Sequence, residues 1–396
     1  MRKTANGWHG HFYRALRLFT LYRVRIAGKE RLPGHGAIVY AVLHRNGAVD
    51  WLPCTALDPA ALPTLSSQWR RNPVARFLVN GIEFVRAKDR EKDGARVSNE
   101  EAFSAARNHL ADGGRLLMFP EGTSDLGPQR LPLRPGIGNL VLDAVQAGIT
   151  VHVVPVGLHY RDPVAWQCDV DVWVGDAEVF AAGSALQHAD VMARIAAALD
   201  NVGINAPSPE VLARIEALAT LAGNGSAADR MRLLRHFAGG IPPDLDMRAD
   251  EVLTKARDLR HVDGIPALPD TPLLPTMASL SILLPLEGIA ALINLPALIA
   301  GRWAARHLPD ARNVVAMWRG LVSFAVFVCW QLVLFPGLTA SGHAGMALVA
   351  TVVSLTGIRH WSTCRRLSAG LFNQLLHPEA TMAMMRFREE LRATTR

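Results

Sequence analysis

Two polar side chains, His44 and Glu121, lie just after the ends of predicted strands in this 396-residue sequence, and Asp50 follows His44 at close spacing. His44 directly follows the apolar run 37–43, and Glu121 comes soon after the strand-like segment 115–118. Open α/β sheets bind ligands at the carboxyl ends of their strands, so we expect these side chains to meet at one edge. A histidine there could act as a general base, because imidazole titrates near neutral pH.

The spacing between His44 and Asp50 requires a turn. The two residues are six positions apart, which does not place them on one face of a helix, and the Asn46-Gly47 pair between them is a turn signal. If Asp50 reaches one ring nitrogen, it fixes the tautomer and leaves the other nitrogen free to take a proton.

No protein nucleophile accompanies this pair. The sequence contains no G-x-S-x-G motif, and we interpret Cys54 as a small buried residue rather than a reactive thiol. A histidine–aspartate pair without a serine suits a reaction in which the substrate's own hydroxyl attacks. The chemistry indicated is acyl transfer onto an alcohol.

Acyl transfer to a phosphorylated alcohol also needs oxyanion donors and cations. Gly122 would leave backbone N–H groups accessible. Arg86, Lys88, Arg130 and Arg134 are the nearby cations. Arg86 is the favoured phosphate ligand because it ends an apolar strand, whereas Lys88 and Arg130 are interpreted as solvated surface charges.

The elements that must position these residues alternate between strand and helix patterns. Predicted strands cover 22–28, 37–43, 81–86, 115–118, 151–158 and 169–175. A capping box of Ser98 and Glu101 begins one predicted helix, and 136–148 is another. The fold class predicted is therefore α/β, a mixed sheet flanked by helices over residues 22–188, with a C-terminal helical membrane region.

The net charge and the spacing of the cysteines limit the kinds of partner and metal site to be expected. The net charge is +7, which suits an anionic partner, and the cations lie beside apolar segments without any nucleic-acid motif. We therefore expect membrane lipids and no nucleic acid. The four cysteines form no CxxC pair, so neither a disulfide framework nor a zinc site is predicted. No other metal site and no cofactor are expected, and His152 and His159 are interpreted as structural.

The C-terminal part contains long apolar runs. Residues 320–338 carry no formal charge and are long enough to cross a bilayer, and residues 345–358 return as a hairpin. The flanking arginines lie on one side, which predicts a cytoplasmic catalytic domain; they are Arg312, Arg319, Arg359, Arg365 and Arg366. A buried hairpin of a soluble protein is the alternative. For 272–300 a re-entrant segment, an interfacial segment and two short helices all remain open.

Five regions follow from these patterns, beginning with an amphipathic helix over 1–21. Its apolar residues recur at helical spacing between arginines, which fits an interfacial helix or a helix covering the core. The others are a catalytic domain (22–188), a polar helical segment (189–262), a hydrophobic region (263–358, with its hairpin at 320–358) and a cytoplasmic C-terminal helix (359–396).

Four blocks in fixed order resemble the glycerolipid acyltransferases, which include lysophosphatidate and glycerol-3-phosphate acyltransferases. They are the His…Asp block at 43–50, the Gly-hydrophobic-Arg block at 81–86, Phe-Pro-Glu-Gly-Thr-Ser at 119–124 and Val-Pro-Val-Gly at 154–157. The resemblance covers roughly residues 20–180. Five residues separate His44 from Asp50, where four are commonest, and this spacing resembles a subgroup that also carries C-terminal hydrophobic segments.

The resemblance implies a membrane-bound enzyme that moves a fatty acyl chain from acyl-CoA or acyl-carrier protein to a phosphorylated glycerol acceptor. His44 would be the base and Asp50 its partner. The residues implied in acceptor binding are Arg86, Glu121, Gly122, Thr123, Ser124 and Arg134. The alternatives are an inactive lipid-binding scaffold of the same fold and a thioesterase or lysophospholipase that uses water.

Overall fold

The computed structural model describes residues 7–66, 80–85 and 99–395. These residues form two compact units. The first comprises the described residues of Met1–Ala15, Val24–His159 and Val170–Pro207; the second comprises Leu16–Arg23, Tyr160–Asp169 and the described residues of Ser208–Arg396.

The first unit is built on a mixed sheet, with strands β1 to β8 in chain order. The strands are Leu21–Ala27, Ala37–Val42, Leu62–Ser66, Ile82–Phe84, Arg115–Met118, Val151–Tyr160, Cys168–Val174 and Glu178–Phe180. Its helices, labelled in chain order, are α1 Trp8–Thr20, α2 Trp51–Leu57, α3 Glu100–Ala111, α4 Gly136–Gln146 and α5 His188–Asp200. The boundaries between the units fall within α1, β1, β6 and β7 and before Ser208, so one end of each of these four elements belongs to the second unit.

The sheet has the strand order β1-β7-β6-β2-β5-β3-β4, and β8 pairs with β6. The path from β6 through β2, β5 and β3 to β4 is parallel throughout, whereas β8 runs antiparallel to β6. All six residues of β2 are buried, as expected for a central parallel strand covered on both faces. The α/β class predicted from the sequence is confirmed.

The second unit is largely helical. Its helices are α6 Pro209–Ala222, α7 Ala227–Ala238, α8 Pro243–Lys255, α9 Leu273–Ile293, α10 Leu295–His307, α11 Val315–Ala340, α12 Ala344–Leu376 and α13 Pro378–Thr394. A two-stranded ribbon, β9 His261–Val262 and β10 Ile265–Pro266, precedes α9.

Two segments of this unit, Leu273–Ile293 and Arg312–Ala340, are long and apolar enough to cross a membrane. Many large apolar side chains on α9 to α12 are exposed, among them Leu274, Ile282, Leu292, Leu332 and Val333. Contiguous exposed apolar surface often marks a membrane or protein interaction site.

The helix and strand ends differ from the predicted ones at several points. The helix expected from the capping box begins at Glu100, and Ser98 lies outside the described residues. His159 lies within β6 rather than in a loop after it. The predicted boundary at Ile358 falls inside α12, which continues to Leu376.

Candidate active site

The carboxyl end of β2 lies between two strands that carry other parts of the site. Ala41 of β2 is opposite Met118 of β5 on one side and Pro155 of β6 on the other. The parallel register therefore brings His44, the segment 119–124 and the Val-Pro-Val-Gly block to one edge of the sheet. The amide of Leu43 donates to the carbonyl of Val156 (3.0 Å), which extends the pairing up to the histidine.

His44 and Asp50 meet because the chain turns between them. Gly47 has a φ of +54°, a conformation that glycine adopts without steric cost, and it begins a short 3-10 helix, Gly47–Asp50. The Nδ1 atom of His44 lies 2.8 Å from Oδ2 of Asp50. The same oxygen accepts hydrogen bonds from the amides of Arg45 (2.6 Å) and Asn46 (2.7 Å). Asp50 is fully buried, so these contacts hold its carboxylate in one place.

The ring of His44 presents its other nitrogen away from Asp50. The side chain is 17% exposed, and the ring stacks on Phe119 with 4.3 Å between centroids. Nε2 has no hydrogen-bond partner within residues 7–66, 80–85 and 99–395. This nitrogen is the atom of the dyad that could exchange a proton with a substrate.

The carboxylate of Glu121 accepts hydrogen bonds from backbone amides rather than from a side chain. One carboxylate oxygen accepts from the amide of His44 (2.8 Å), and the other accepts from the amide of Leu131 (2.8 Å). Burial raises the pKa of Glu121 above its ordinary value, although both amide contacts act in the opposite direction. The carbonyl of His44 accepts a hydrogen bond from the amide of Asp125 (3.0 Å). The loop after β5 therefore bonds both the amide and the carbonyl of His44.

Gly122 adopts a φ of +72° in the turn that follows Glu121. Its amide donates to the carbonyl of Phe119 (3.0 Å), so this N–H is not the accessible oxyanion donor expected from the sequence. A Cβ atom at this position would lie 3.1 Å from Cγ of Arg134. Thr123 and Ser124 follow in partly buried positions.

The cations expected to bind phosphate differ in their surroundings. Arg130 forms a bidentate ion pair with Asp200, with Nε–Oδ1 at 2.6 Å and Nη2–Oδ2 at 3.0 Å. Arg134 is exposed and lies over Gly122, and its guanidinium has no hydrogen bond to any described residue. Arg86 and Lys88 lie outside the described residues.

Sequence reasoning missed a polar cluster that links α2 to the sheet. Asp58, at the carboxyl end of α2, accepts hydrogen bonds from Tyr40 (2.7 Å) and Arg115 (2.8 Å). Burial, together with the charge of Asp58, raises the pKa of Tyr40. The cluster links α2 to β2 and β5, and because α2 begins next to Asp50, it helps to place that residue. Its three members are far apart in the sequence, so no local pattern announces them.

Cys54 has a structural environment. Its Sγ donates to the carbonyl of Asp50 (3.3 Å), and burial raises the pKa of the thiol well above its ordinary value. A thiol that resists ionisation is a poor nucleophile. His159 is likewise packed, with its ring 4.0 Å from that of Trp173 and Nε2 3.0 Å from the carbonyl of Val202.

Known protein sequences resemble part of this chain. Residues 23–159 match the family model described as Acyltransferase. Glycerol-3-phosphate O-acyltransferase 2 of Saccharomyces cerevisiae is 38% identical over 100 residues, which are 24% of this chain. The matched region spans only 12% of that relative's length.

A solved structure also resembles part of the chain. It is the 1-acyl-sn-glycerophosphate (LPA) acyltransferase PlsC from Thermotoga maritima, with 17% identity and a TM-score of 0.36, covering 49% of this chain and 76% of that one. The family model and the yeast relative support a glycerolipid acyltransferase family, with the family match at residues 23–159.

Proposed function

We propose that this protein is a membrane-bound O-acyltransferase of phospholipid biosynthesis. It transfers a fatty acyl chain from acyl-CoA or acyl-carrier protein to a hydroxyl of glycerol 3-phosphate or 1-acylglycerol 3-phosphate. The observation that carries the proposal is the His44–Asp50 contact of 2.8 Å beside Glu121 and Arg134, at the strand edge of an acyltransferase-family domain.

The proposed reaction uses His44 as the general base. Nε2 accepts the proton of the acceptor hydroxyl while the hydroxyl oxygen attacks the thioester carbonyl carbon. The resulting tetrahedral intermediate collapses, the carbon–sulfur bond breaks, and the leaving thiolate takes the proton back from the imidazolium. Asp50 holds the Nδ1–H tautomer and stabilises the imidazolium between the two proton transfers. The acceptor alcohol supplies the nucleophile, so no protein nucleophile is needed.

Among the arginines that the structure describes near the site, Arg134 is the one proposed to bind the acceptor phosphate. Its guanidinium lies over Gly122 without a protein partner among the described residues, whereas Arg130 is already paired with Asp200. A guanidinium suits a phosphate because it can donate two parallel hydrogen bonds. Arg86 is proposed as a second ligand on its sequence block alone.

Membrane attachment is proposed from the second unit. Two segments have the length and composition of membrane spans, and the outer faces of α9 to α12 are apolar. Arginines flank the apolar stretches, at Arg312 and Arg319 before the uncharged part of α11 and at Arg359 after that of α12. By the positive-inside rule these ends, with the catalytic domain, lie on the cytoplasmic face.

The direct test is acyl transfer by the purified full-length protein in lipid nanodiscs. Each acceptor is offered with acyl-CoA and with acyl-carrier protein, and the esterified product is quantified by mass spectrometry. His44→Ala should lower the rate about 10²- to 10⁴-fold, because it removes the base. The exposed His35, in the loop before β2, provides the control variant His35→Ala, which should transfer at the wild-type rate.

The same assay separates the alternatives. An inactive lipid-binding scaffold would form no ester from any pair of donor and acceptor. A thioesterase would release free fatty acid at a rate that does not depend on the acceptor. The guanidinium of Arg134, which has no hydrogen bond to the residues that the structure describes, favours transfer to a phosphorylated acceptor over hydrolysis.

A further inference from the structure

We propose that α9 and α10 form a re-entrant helical hairpin, which enters the bilayer from the cytoplasmic side and turns at Asn294 near the midplane without crossing. Its partner is the acyl-chain region of a single leaflet. The length of α9 alone would allow a full crossing, but its contacts with α11 and α12 do not fit one. The inference rests on the proposed membrane attachment and is independent of the chemistry at His44.

The first observation is that α9 runs antiparallel to α12. Ala290 packs directly on Gly357, where an added Cβ would overlap the Ala290 side chain. One turn further along α9, Asn294 reaches Gln331, which also contacts Ser354, a residue earlier in α12 than Gly357. Advancing along α9 therefore means moving backward along α12.

The second observation is that α10 runs antiparallel to α11, so the chain has reversed. The indole of Trp330 donates to the carbonyl of Ile293 (2.6 Å), at the end of α9. Ala297 then packs with Phe327, and a Cβ at Gly301 would overlap the side chain of Ser323. From Ile293 to Gly301 the chain descends along α11 toward the Arg319 end.

The position of Gln331 gives the depth of the turn. Along α11, Gln331 lies about 18 Å from Arg319 and about 14 Å from Ala340, at 1.5 Å per residue. The hydrocarbon core of a bilayer is about 30 Å thick. If α11 crosses it, Asn294 lies near the middle. Helix α10 has 13 residues and is about 20 Å long, enough to return to the Arg319 level but too short to cross.

The third observation is that protein side chains donate hydrogen bonds to acceptors at the turn. A helix that ends inside a bilayer exposes backbone carbonyls, which lipid cannot hydrogen-bond. Here the side-chain amide of Asn294 donates to the carbonyl of Ala290 (2.9 Å), and Trp330 donates to that of Ile293. Gln331 donates to Asn294 Oδ1 (3.2 Å), and Asn294 is 6% exposed. The side chains of Asn294, Trp330 and Gln331 make hydrogen bonds that water makes at an exposed turn.

The distribution of charged residues along α9 and α10 also supports a hairpin that enters from the cytoplasmic side. Residues 288–301 contain no charged side chain, and Arg302 and Arg306 follow on the returning helix. The outward face carries Leu292, Leu295 and Ile299 near the turn, all exposed. Trp303, half exposed beside Arg302, is the kind of residue found at the headgroup level. The hairpin therefore has an apolar tip at the turn and a cationic base at Arg302 and Arg306, as expected for a segment inserted into one leaflet.

Single-cysteine accessibility tests the topology in sealed vesicles. In a full-length background with the four native cysteines replaced, Leu295→Cys reports the turn, Arg306→Cys the base of the hairpin and Ser341→Cys the loop between α11 and α12. Vesicles of both orientations are treated with a membrane-impermeant maleimide, before and after detergent. Circular dichroism of each purified variant shows that it is folded.

We expect Arg306→Cys to react from the cytoplasmic side, Ser341→Cys from the opposite side and Leu295→Cys from neither until detergent is added. A nitroxide at residue 295 should favour oxygen over a water-soluble nickel chelate as its collision partner. Reaction of Leu295→Cys on the Ser341 side would show that α9 crosses, and reaction on the Arg306 side would place the hairpin at the surface. Either result overturns the proposal. Alkaline carbonate extraction tests membrane attachment separately. A protein that is not attached to the membrane is therefore distinguished from one with a different topology and from one that does not transfer acyl chains.

Discussion

The carboxylate of Glu121 lies 2.8 Å from the backbone nitrogen of His44 and makes no hydrogen bond to the imidazole ring. Its second oxygen binds the amide of Leu131 at the same distance. The acidic residue of the Phe-Pro-Glu-Gly block therefore positions the histidine main chain and the loop that leads to Arg134. This arrangement makes Glu121 a positioning residue rather than a second acid or base.

Glu121→Gln should lower kcat while leaving the fold intact. Glutamine keeps one acceptor oxygen but places an NH₂ group against the second amide, so one of the two contacts is lost. Losing such a charge-assisted bond costs about 1.5–3 kcal/mol, which corresponds to a rate roughly 10- to 150-fold lower. Steady-state kinetics and circular dichroism check this, and a wild-type kcat in Glu121→Gln would refute the positioning role.

The same carboxyl group gives a prediction about pH. Burial raises its pKa above the ordinary 4.5 because desolvation outweighs the two amide contacts. The folded protein thus holds the proton more tightly than the unfolded chain does. Its contribution to the free energy of unfolding is complete below the ordinary pKa and is lost as the pH rises through the raised pKa.

Glu121→Gln cannot titrate at this position, so its stability relative to wild type should increase as the pH rises through that interval. Thermal unfolding of both proteins in nanodiscs, measured from about pH 4 to about pH 8, tests the sign of the difference. A difference that stays constant across the series contradicts the assignment.

Asp50→Asn should lower kcat about 10²- to 10⁴-fold, because an amide can hold the imidazole in the wrong tautomer. The buried Asp50 also accepts from the amides of Arg45 and Asn46, so a lower melting temperature is expected as well. Asp176→Asn is the matched control, since that side chain is 88% exposed in a surface pair. Equal rates for the two variants would argue against the dyad.

Variants of Arg134 and Arg130 distinguish a residue that binds the acceptor from one that stabilises the fold. Arg134→Ala should raise KM for a phosphorylated acceptor about 10- to 150-fold, the value of one charge-assisted contact. Arg130→Ala removes the Asp200 ion pair and should change stability more than KM. An unphosphorylated alcohol of similar size should show no dependence on Arg134. The proposed role fails if both acceptors lose activity equally.

Local patterns in the sequence were sufficient to predict the α/β class and the strand before His44. They also predicted a turn at Asn46-Gly47, because apolar runs and glycine positions are properties of neighbouring residues. The expectation that His44 and Glu121 share an edge followed from one general rule about parallel strands. The acyltransferase family was recognised from four short blocks whose order is visible along the chain.

Only the tertiary structure decided which groups those residues contact. Arg130 is paired with Asp200 and Glu121 with the amides of His44 and Leu131, contacts between residues far apart in the chain. The segment 272–300, open from its composition, forms the helices α9 and α10, and the contacts of Asn294 with Gln331 and of Gly301 with Ser323 show that α10 runs antiparallel to α11. Apolar periodicity shows that a helix is buried or in lipid, but its partner and its direction depend on packing between distant segments, which no local pattern encodes.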